Sequence, residues 1–309
     1  MEVKNEKIKK ILRTLSQFLQ GKEEALRLSL ITFFSNGHLL IEDLPGLGKT
    51  TLAVGIAKIT GLSFGRVQAT SDLLPTDITG LSIYNKQTEK FEFHPGPIFN
   101  NVVLVDEINR ATPKTQSALL EAMGEKQVTI EGQTYKLPKP FFVIATQNPV
   151  EQYGTFPLPE SQMDRFMMKI SIGYPSREAE REILKGGSKR EQLYKIQPIM
   201  DKDQVIETQK EIDQVYLSDK IVEYILDIAE ATRRSKYFSA GLSIRGTLAL
   251  VKTAKTSAYF NGRDYVIPED IKSLLPYTVV HRVLLHEVYE NTDHREIVLS
   301  VVENIPVPA

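Results

Sequence analysis

The segment His38-Leu-Leu-Ile-Glu-Asp-Leu-Pro-Gly-Leu-Gly-Lys-Thr-Thr51 decides how the rest of the chain is interpreted. Its apolar start is typical of a short buried strand, and its proline and glycines indicate a turn. Apolar residues then recur at helical spacing from Thr50 to Thr60, and Gly61 is placed to end the helix. Glycine lets backbone N–H groups curve around an anion, and the N-terminus of a helix adds partial positive charge. The segment therefore predicts a phosphate-binding loop.

Two side chains at the end of this loop have the chemistry that a nucleotide requires. We expect the Lys49 ammonium to reach the β- and γ-phosphates and the Thr50 hydroxyl to ligate Mg²⁺. The general pattern G-x-x-x-x-G-K-[ST] has glycine where this chain has Asp43, so the Pro45-Gly46 pair is expected to make the first turn. For the motif taken alone, a glycine-rich turn that happens to precede a lysine is the alternative.

Two further predicted strands end in polar residues. The run Val102–Val105 leads to Asp106 and Glu107, at the carboxyl end of the sheet, where open α/β folds bind ligands. Asp106 is expected to hold the Mg²⁺ shell and Glu107 to polarise the attacking water, although such a pair also fits a solvated turn or a helix cap. The run Phe141–Ala145 leads to Asn148, which can reach the γ-phosphate, hold the water against Glu107, or only close a turn.

The periodic segments predict two regions of different class. Apolar runs that alternate with helical stretches favour a mainly parallel sheet covered on both faces. The predicted strands lie at 38–41, 102–105, 141–145 and 168–172, and two hairpins are predicted at 81–94 and at 128–137 around Glu131-Gly132. Beyond residue 175 the predicted helices lie at 176–185, 219–232, 243–260 and 268–285. We therefore expect an α/β domain over residues 1–174 and an all-helical domain over residues 175–309.

The composition argues against several classes of protein. Lys and Arg number 38 and Asp and Glu 39, so the net charge of −1 gives no field for non-specific binding to nucleic acid. The absence of cysteine excludes disulfides, thiolate metal sites and a cysteine nucleophile. No apolar run is as long as a membrane span, and the Lys-rich start lacks the apolar core of a signal peptide. We expect a cytoplasmic protein without membrane insertion.

Five motifs form a set along the chain. They are Glu42-Asp-Leu-Pro-Gly-Leu-Gly-Lys-Thr50, Asp106-Glu-Ile-Asn-Arg-Ala111, Ala145-Thr-Gln-Asn-Pro149, Leu158-Pro-Glu-Ser-Gln-Met-Asp-Arg-Phe166 and Gly241-Leu-Ser-Ile-Arg245. In order and spacing the set resembles the MoxR family of AAA+ ATPases, and Asp43 is similar to what that family carries at this place. The resemblance extends from Gly21-Lys22 to Pro268-Glu-Asp270. It implies a P-loop NTPase core of the doubly wound type, a C-terminal helical lid, ATP and Mg²⁺ between them, and a ring that is usually a hexamer.

The resemblance also implies roles for individual residues. Asn148 would be sensor 1, Arg165 an arginine finger that enters a neighbour's site, and Arg245 sensor 2, on its own or a neighbour's nucleotide. Arg245 stands in Ser-Ile-Arg, where the family more often has Ser-Pro-Arg; without the resemblance, both arginines would be interpreted as solvated surface residues. The implied nucleotide-binding residues are Gly21, Lys22, Pro45, Gly46, Leu47, Gly48, Lys49, Thr50 and Thr51. Lys49 and Thr50 would belong to Walker A and Asp106 and Glu107 to Walker B, with Thr50 and Asp106 at the metal and Glu107 as the catalytic carboxylate.

The implied function is ATP hydrolysis that remodels, activates or matures a client protein, with a von Willebrand factor A domain protein as an expected partner. The two hairpins resemble the helix-2 and pre-sensor insertions of this AAA+ branch, and we expect them to face the pore of the ring and touch the client. Three alternatives remain open. They are a chelatase-type motor subunit for metal insertion, a nucleic-acid-dependent ATPase, which the near-neutral charge disfavours, and a non-hydrolysing scaffold, which the Asp106-Glu107 pair disfavours.

Overall fold

A computed structural model describes residues 3–150, 154–187, 190–289 and 292–308. The first part of the chain alternates helices and strands: α1 (Glu6–Ser16), α2 (Glu23–Phe34), β1 (Leu39–Glu42), α3 (Lys49–Ile59), β2 (Phe64–Gln68), α4 (Pro75–Thr79), β3 (Gly80–Asn85), β4 (Lys90–Pro95), β5 (Val102–Asp106), α5 (Pro113–Glu125), β6 (Gln127–Ile130), β7 (Gln133–Lys136), β8 (Phe142–Gln147), α6 (Glu160–Met163) and β9 (Met168–Ile170). The second part contains α7 (Arg177–Gly186), α8 (Arg190–Leu193), α9 (Lys202–Asp213), α10 (Asp219–Arg234), β10 (Phe238–Ala240), α11 (Ile244–Phe260), α12 (Pro268–Lys272), α13 (Leu275–Thr278), β11 (Leu284–Leu285) and α14 (His294–Glu303). Within the described ranges, every helix is too short or too polar to span a lipid bilayer.

Five parallel strands form the central sheet in the order β2-β5-β8-β1-β9. Alternate strand residues belong to apolar clusters on opposite faces. Leu104 and Ile144 lie in a cluster with α1, α2 and α3, whereas Val105 and Ala145 lie in a cluster with α5. Burial on both faces explains why the central strands appear as continuous apolar runs. The predicted α/β fold with a mainly parallel sheet is confirmed.

The edge strand β2 is not predicted from the sequence. Its sequence is Phe-Gly-Arg-Val-Gln, and only Gly65 and Val67 are buried, so the apolar signal is weak. Gly65 is required by crowding, because a Cβ there would lie 2.7 Å from both the Asn100 Nδ2 atom and the Pro97 carbonyl oxygen. The strand matters for the site because it places Arg66 and Gln68 beside the end of β5.

Both predicted hairpins are present. Strand β3 pairs with β4, and β6 pairs with β7 around a turn in which Glu131 and Gly132 both have positive φ angles, of 51° and 80°. That combination matches the two-residue turn that suits the twist of a hairpin. The hairpins contact each other through the Phe93 and Tyr135 rings, which stack with centroids 4.2 Å apart.

The helical character of the C-terminal region is confirmed, with two differences in detail. The predicted helices at 176–185, 219–232 and 243–260 correspond to α7, α10 and α11, but the single helix predicted over 268–285 is wrong. Pro276 has no N–H and limits α13 to a short helix that begins at Leu275, and a 3-10 turn at Val280–Arg282 follows. In addition, β10 and β11 form a two-stranded antiparallel sheet, so the region is not all-helical.

One apolar cluster joins the N-terminal helices to residues far along the chain. Besides α1 and α2, it contains Met200, Val205, Ile212, Phe260 and Leu274. The rings of Phe34 and Phe260 meet edge to face at 5.9 Å. Polar contacts lie beside them, since the Gln209 amide donates to the Phe33 carbonyl at 3.0 Å and the hydroxyls of Ser35 and Thr256 are 2.6 Å apart. The cluster therefore includes residues from both sides of the predicted boundary at residue 174.

A buried histidine next to the sheet predicts acid-sensitive stability. The His38 Nδ1 atom accepts from the Val143 N–H at 3.0 Å, so Nε2 carries the proton and faces the Met123 carbonyl at 3.3 Å. Burial, with a smaller effect of the Lys126 charge, lowers the pKa of His38 from 6.5 to about 3. Between these values the unfolded chain binds a proton that the folded chain does not, so stability is full above pH 6.5 and falls as the pH drops.

We therefore expect the melting temperature to fall between pH 7.5 and pH 5, and His38→Gln to make that decline shallower. The matched control is His94→Gln, which changes an exposed histidine on β4 and should keep the wild-type decline. Thermal unfolding across this pH range measures both, and an unchanged decline in the His38 variant would contradict the assignment.

Candidate active site

The loop between β1 and α3 bends through two glycines. Gly46 has a φ of 84° and Gly48 a φ of 92°, conformations that strain any residue with a side chain. A Cβ at Gly46 would meet open space, so backbone conformation and not crowding requires glycine there. Gly48 is the N-cap of α3, whose first N–H groups have no acceptor within the helix. The bend therefore presents a helix N-terminus to the adjoining cleft.

Lys49 begins α3 and lies among acids. Its ammonium donates to the Asp43 carbonyl oxygen at 2.5 Å. Burial lowers the pKa of Lys49, and the charges of Asp43, Asp106 and Glu107 oppose that shift. The opposition means that the two acids after β5 lie within electrostatic range of this ammonium, as the sequence motifs predict.

The acids Asp106 and Glu107 are held at the junction of β5 and β8. Glu107 has a left-handed backbone, with φ 56° and ψ 50°, a conformation that costs about 1–3 kcal/mol in a non-glycine residue. The chain thereby leaves the sheet directly after Asp106, and both carboxylates line the same cleft. Thr146 fixes this bend, because its hydroxyl accepts from the Glu107 N–H at 2.9 Å and faces Asp106 Oδ1 at 3.4 Å.

Both carboxylates have hydrogen-bond or ion-pair partners within the chain, mainly on strand β2. The Arg66 Nε atom donates to Asp106 Oδ2 at 2.9 Å. The Gln68 amide donates to Glu107 Oε2 at 3.2 Å, and the Arg110 Nε atom lies 3.2 Å from the same oxygen. Neither Arg66 nor Gln68 is a predicted site residue, because both reach the site through the position of β2, a strand that the sequence does not predict.

Two adjoining clefts form the site. The polar one has a volume of about 380 Å³, and its lining comprises Pro45, Gly46, Gly48, Lys49, Thr50, Thr51, Arg66, Gln68, Asp106, Glu107 and Thr146. The second has a volume of about 240 Å³, and its lining comprises Gln17, Phe18, Leu19, Gln20, Lys22, Gly46, Leu47, Gly48, Thr51, Pro175, Glu182, Ile183 and Gly187. Because Gly46, Gly48 and Thr51 line both, the polar cleft and the more apolar one continue into each other around the loop. A ligand with a phosphate chain at one end and an apolar ring at the other fits this division.

The second cleft contains the residues that sequence analysis misses. Phe18 and Leu19 follow the end of α1, and Ile183 lies on α7, more than a hundred residues away. The available sequence signal is a pair of adjacent apolar residues, Ile183 and Leu184, on a mostly charged helix. This signal does not identify a ligand site without the fold, because apolar residues on a charged helix form no motif of fixed spacing.

Asp43 explains how this loop departs from the general glycine pattern. Its Oδ2 atom accepts from the Ile172 N–H at 2.6 Å, the Gly173 N–H at 2.7 Å and the Ser171 hydroxyl at 3.1 Å. The Lys22 ammonium donates to the carbonyl oxygens of Ile172 and Gly173, at 3.0 and 2.5 Å. The carboxylate and the ammonium thus fasten the segment after β9 to the phosphate-side loop. Burial lowers the pKa of Lys22, and the Asp43 charge opposes that shift.

Other predicted site residues lie outside both clefts. Gly21 packs on α7, where an added Cβ would lie 2.9 Å from the Ala179 Cβ atom. The Asn148 side chain accepts from the Val150 N–H at 3.2 Å, so in this structure it closes a local turn. The Arg165 Nη1 atom donates to the Leu120 carbonyl of α5 at 2.7 Å, and Arg245 is exposed in the first turn of α11. Within one chain, the two arginines are therefore not part of the cleft.

Comparison with known proteins agrees with this arrangement. Residues 38–168 match the family described as ATPase family associated with various cellular activities (AAA), and residues 230–300 match the AAA lid domain. The chain is 46% identical to the uncharacterised protein YeaC of Bacillus subtilis, with 97% of this chain and 94% of that protein covered. It is 37% identical to the chaperone MoxR1 of Mycobacterium tuberculosis, with 95% and 80% covered. A crystal structure of a Cytophaga hutchinsonii protein, 41% identical, superposes with a TM-score of 0.91 over 98% of this chain and 96% of that one. The chain belongs to the MoxR family of AAA+ ATPases.

Proposed function

We propose that this chain binds ATP with Mg²⁺ in the two adjoining clefts and hydrolyses it within a ring of copies, a hexamer, to remodel, activate or mature a client protein. The observation that carries the proposal is the convergence of Lys49, Thr50, Asp106 and Glu107 on one cleft at the carboxyl end of the sheet. Phosphoryl transfer needs a held phosphate chain, a neutralised charge and an oriented water, and these four side chains match those needs.

The donor set fits a magnesium ion that arrives with the nucleotide. The polar cleft offers the Thr50 hydroxyl and the Asp106 carboxylate, both hard oxygen ligands. Among the described residues, no group of three or more histidine, aspartate or glutamate side chains could hold a metal by itself, so phosphate oxygens would complete the shell. When bound, Mg²⁺ neutralises charge on the phosphate oxygens.

Individual residues of the chain are proposed to bind the phosphates, orient the attacking water and surround the base. Lys49 and the N–H groups at the start of α3 hold the phosphates. Glu107 accepts a hydrogen bond from the Gln68 amide and is placed to orient a water for attack. Asn148 stands one residue beyond β8 and joins the site as sensor 1 after its local turn opens. Lys22, Leu47 and the other residues of the apolar cleft surround the base.

Arg66 must release Asp106 before that carboxylate can join a magnesium shell. The Arg66 side chain is half-exposed, so the ion pair stabilises Asp106 in its present position by at most about 1 kcal/mol. We expect Arg66→Gln to lower the Mg²⁺ concentration for half-maximal ATP turnover by up to about fivefold. A magnesium titration of ATPase activity measures this, with Arg234→Gln, which disrupts an exposed pair on α10, as the control. A higher magnesium requirement would instead show that Arg66 assists magnesium binding, contrary to this assignment.

The positions of the two arginines outside the cleft are consistent with a ring in which each subunit completes its neighbour's site. Because Arg165 does not reach the cleft of its own chain, we assign it to the site of the neighbouring subunit, and Arg245 to the nucleotide at the same interface. We propose that residues 1–174 form the core and residues 175–309 form the lid. Asp43, in the loop after β1, and Lys22, at the start of α2, both bind the Gly173 backbone immediately before this boundary. Nucleotide binding at the loop is thereby connected to the segment that leads into the lid.

The first hairpin is the proposed contact with the client. Tyr84 and Phe91 form a ring pair at 5.4 Å on its exposed side, with 49% and 69% of their surfaces accessible. Exposed aromatic pairs of this kind are costly to leave in water and suit transient protein contact. Because Gly80 and Gly96 already lie in contact at its base, the hairpin can be cut back to that junction with little strain.

Cutting the hairpin back to Gly80-Gly96 is therefore expected to keep basal ATP hydrolysis and to abolish client activation. The milder Tyr84→Ser/Phe91→Ser variant should behave in the same way, whereas the Thr129→Ser change on the second hairpin serves as a control for that region. Intact client activation by the shortened protein would refute this role.

The client itself is identified by affinity purification with Glu107→Gln, a variant expected to hold ATP without turning it over. A retained protein with a von Willebrand factor A domain supports the chaperone function proposed here. A retained chelatase subunit that inserts metal into a tetrapyrrole would replace it with the motor-subunit alternative. The absence of any nucleotide hydrolysis by the unmodified protein would reject the enzyme assignment altogether.

A further inference from the structure

The segment that carries Arg165 is held by the C-terminal region. Asp164 ends α6, and both of its carboxylate oxygens are bound from beyond residue 240. Oδ1 accepts from the Arg282 Nε atom at 2.8 Å, and Oδ2 accepts from the Ser243 hydroxyl at 3.0 Å. The residue immediately before Arg165 is thus fixed at two points.

Arg282 also holds the backbone on both sides of Arg165. Its Nη2 atom donates to the Asp164 carbonyl at 3.3 Å and to the Phe166 carbonyl, and its Nη1 atom donates to the Met167 carbonyl at 2.9 Å. The guanidinium is buried, with 1% of its side-chain surface accessible. Burial lowers the pKa of Arg282 to about 10 and the Asp164 charge opposes that shift, so the group is a cation at neutral pH. A buried cation with several acceptors is a rigid junction, because each lost contact leaves a desolvated charge.

The same junction reaches the helix that carries Arg245. Ser243 is the N-cap of α11, and its hydroxyl accepts from the Gly246 N–H at 3.0 Å while it donates to Asp164. The Arg282 stem lies against this first turn, since a Cβ at Gly246 would be 3.0 Å from the Arg282 Cδ atom. One turn of α11 and the Arg165 segment therefore share their supports.

We propose that Arg282 is a positioning residue for ATP hydrolysis, which joins the Arg165 segment to the first turn of α11 so that Arg165 and Arg245 move as one unit. The inference rests on the proposed role of Arg165 in a neighbour's site. A displacement of about 1 Å is enough to lower turnover about 100-fold when a group acts by position. Lid movement in one subunit would in this way set the turnover of the next.

Two mild substitutions cut the connection from opposite sides. Ser243→Ala removes the hydrogen bond to Asp164 together with the α11 cap, whereas Asp164→Asn keeps the cap but weakens the hold of Arg282. Each is expected to lower kcat about tenfold with little change in KM for ATP, and the double variant is expected to lose no more activity than the more impaired single variant. The control is Ser218→Ala, which removes a comparable cap from α10, where the hydroxyl accepts from the Ile221 N–H at 3.3 Å. Equal kcat values for Ser243→Ala and Ser218→Ala would overturn the proposal.

Mixing experiments decide which site is affected. Chains with Lys49→Ala cannot complete their own site but carry an undisturbed Arg165, so adding them to Ser243→Ala or Asp164→Asn chains should raise turnover above the sum of the two alone. Arg165→Ala chains provide the reference. If they gain activity on mixing and the Ser243 and Asp164 variants do not, the junction serves its own subunit and the inference is wrong. If Arg165→Ala chains gain nothing either, the proposed neighbour-site role of Arg165 fails, and the inference fails with it.

Discussion

Replacing Arg165 by alanine is expected to lower ATP turnover by about 10³- to 10⁵-fold while ATP binding is retained. The physical reason is that the guanidinium forms a planar fork that neutralises charge on a transferring phosphoryl group, and it is always charged. Stability should change little, because the side chain is half-buried and its Nη1 atom makes one hydrogen bond, to the Leu120 carbonyl. Steady-state phosphate release and nucleotide-binding titrations measure the two quantities separately.

Arg165→Lys should also fail to restore turnover, because an ammonium keeps the charge but not the two-pronged geometry. Arg234→Ala, on the exposed face of α10, is the matched arginine control. A loss of binding in parallel with the loss of turnover would place Arg165 in the site of its own chain, although it lines neither cleft in the described structure.

Replacing Glu107 by glutamine is expected to lower turnover by about 10²- to 10⁴-fold and to preserve ATP binding. The two side chains have the same shape, so the left-handed turn after β5 and the lining of the polar cleft should survive. The amide, however, cannot polarise a water as a carboxylate does. The variant should therefore accumulate in the nucleotide-bound state.

The suitable control is Glu42→Gln at the end of strand β1, which β8 separates from β5. There the carboxylate pairs with Lys169 at 2.7 Å and accepts from the Gln147 amide at 2.6 Å. The same chemical change at that strand end should leave turnover within a few-fold of the unmodified protein. Undiminished hydrolysis by Glu107→Gln would remove Glu107 from its assigned role.

The phosphate half of the site could be predicted from the sequence because its physics is local. Gly46, Gly48, Lys49 and Thr50 lie in one turn, and the helix start and the positive φ angles follow from that turn alone. Asp106 and Glu107 needed one additional inference, that parallel strands end at the same edge of the sheet. The structure then brings them to the predicted cleft.

In the more apolar cleft, Lys22 and Leu47 were implied by the family resemblance, but most of the other lining residues could not be predicted, because they come from distant segments. Phe18 and Ile183 line one cleft only after α1 and α7 have packed around the loop, and neither belongs to a spaced motif. The role of Asp43 could not be predicted for a different reason. Its departure from glycine is explained by hydrogen bonds to Ile172 and Gly173, partners that are about 130 residues away in the sequence.

The errors in the fold have similar causes. Strand β2 has only two buried residues, one of them a glycine without a side chain, so periodicity gives almost no signal. The region from Pro268 to Leu285 has helical spacing throughout, but Pro276 and the contacts of Arg282 divide it into short pieces. In both cases tertiary packing decides between conformations that the local sequence leaves nearly equal.

The apolar cluster that joins α1 and α2 to α9, α11 and Leu274 limits how lids could be exchanged between family members. A lid transplanted from another family member at residue 174 would meet foreign surfaces at Phe34 and Ser35, because their partners Phe260 and Thr256 come from the transplanted half. Working chimaeras would need to carry the first two helices together with the lid. Evolution should likewise have changed these two distant stretches of the gene in concert.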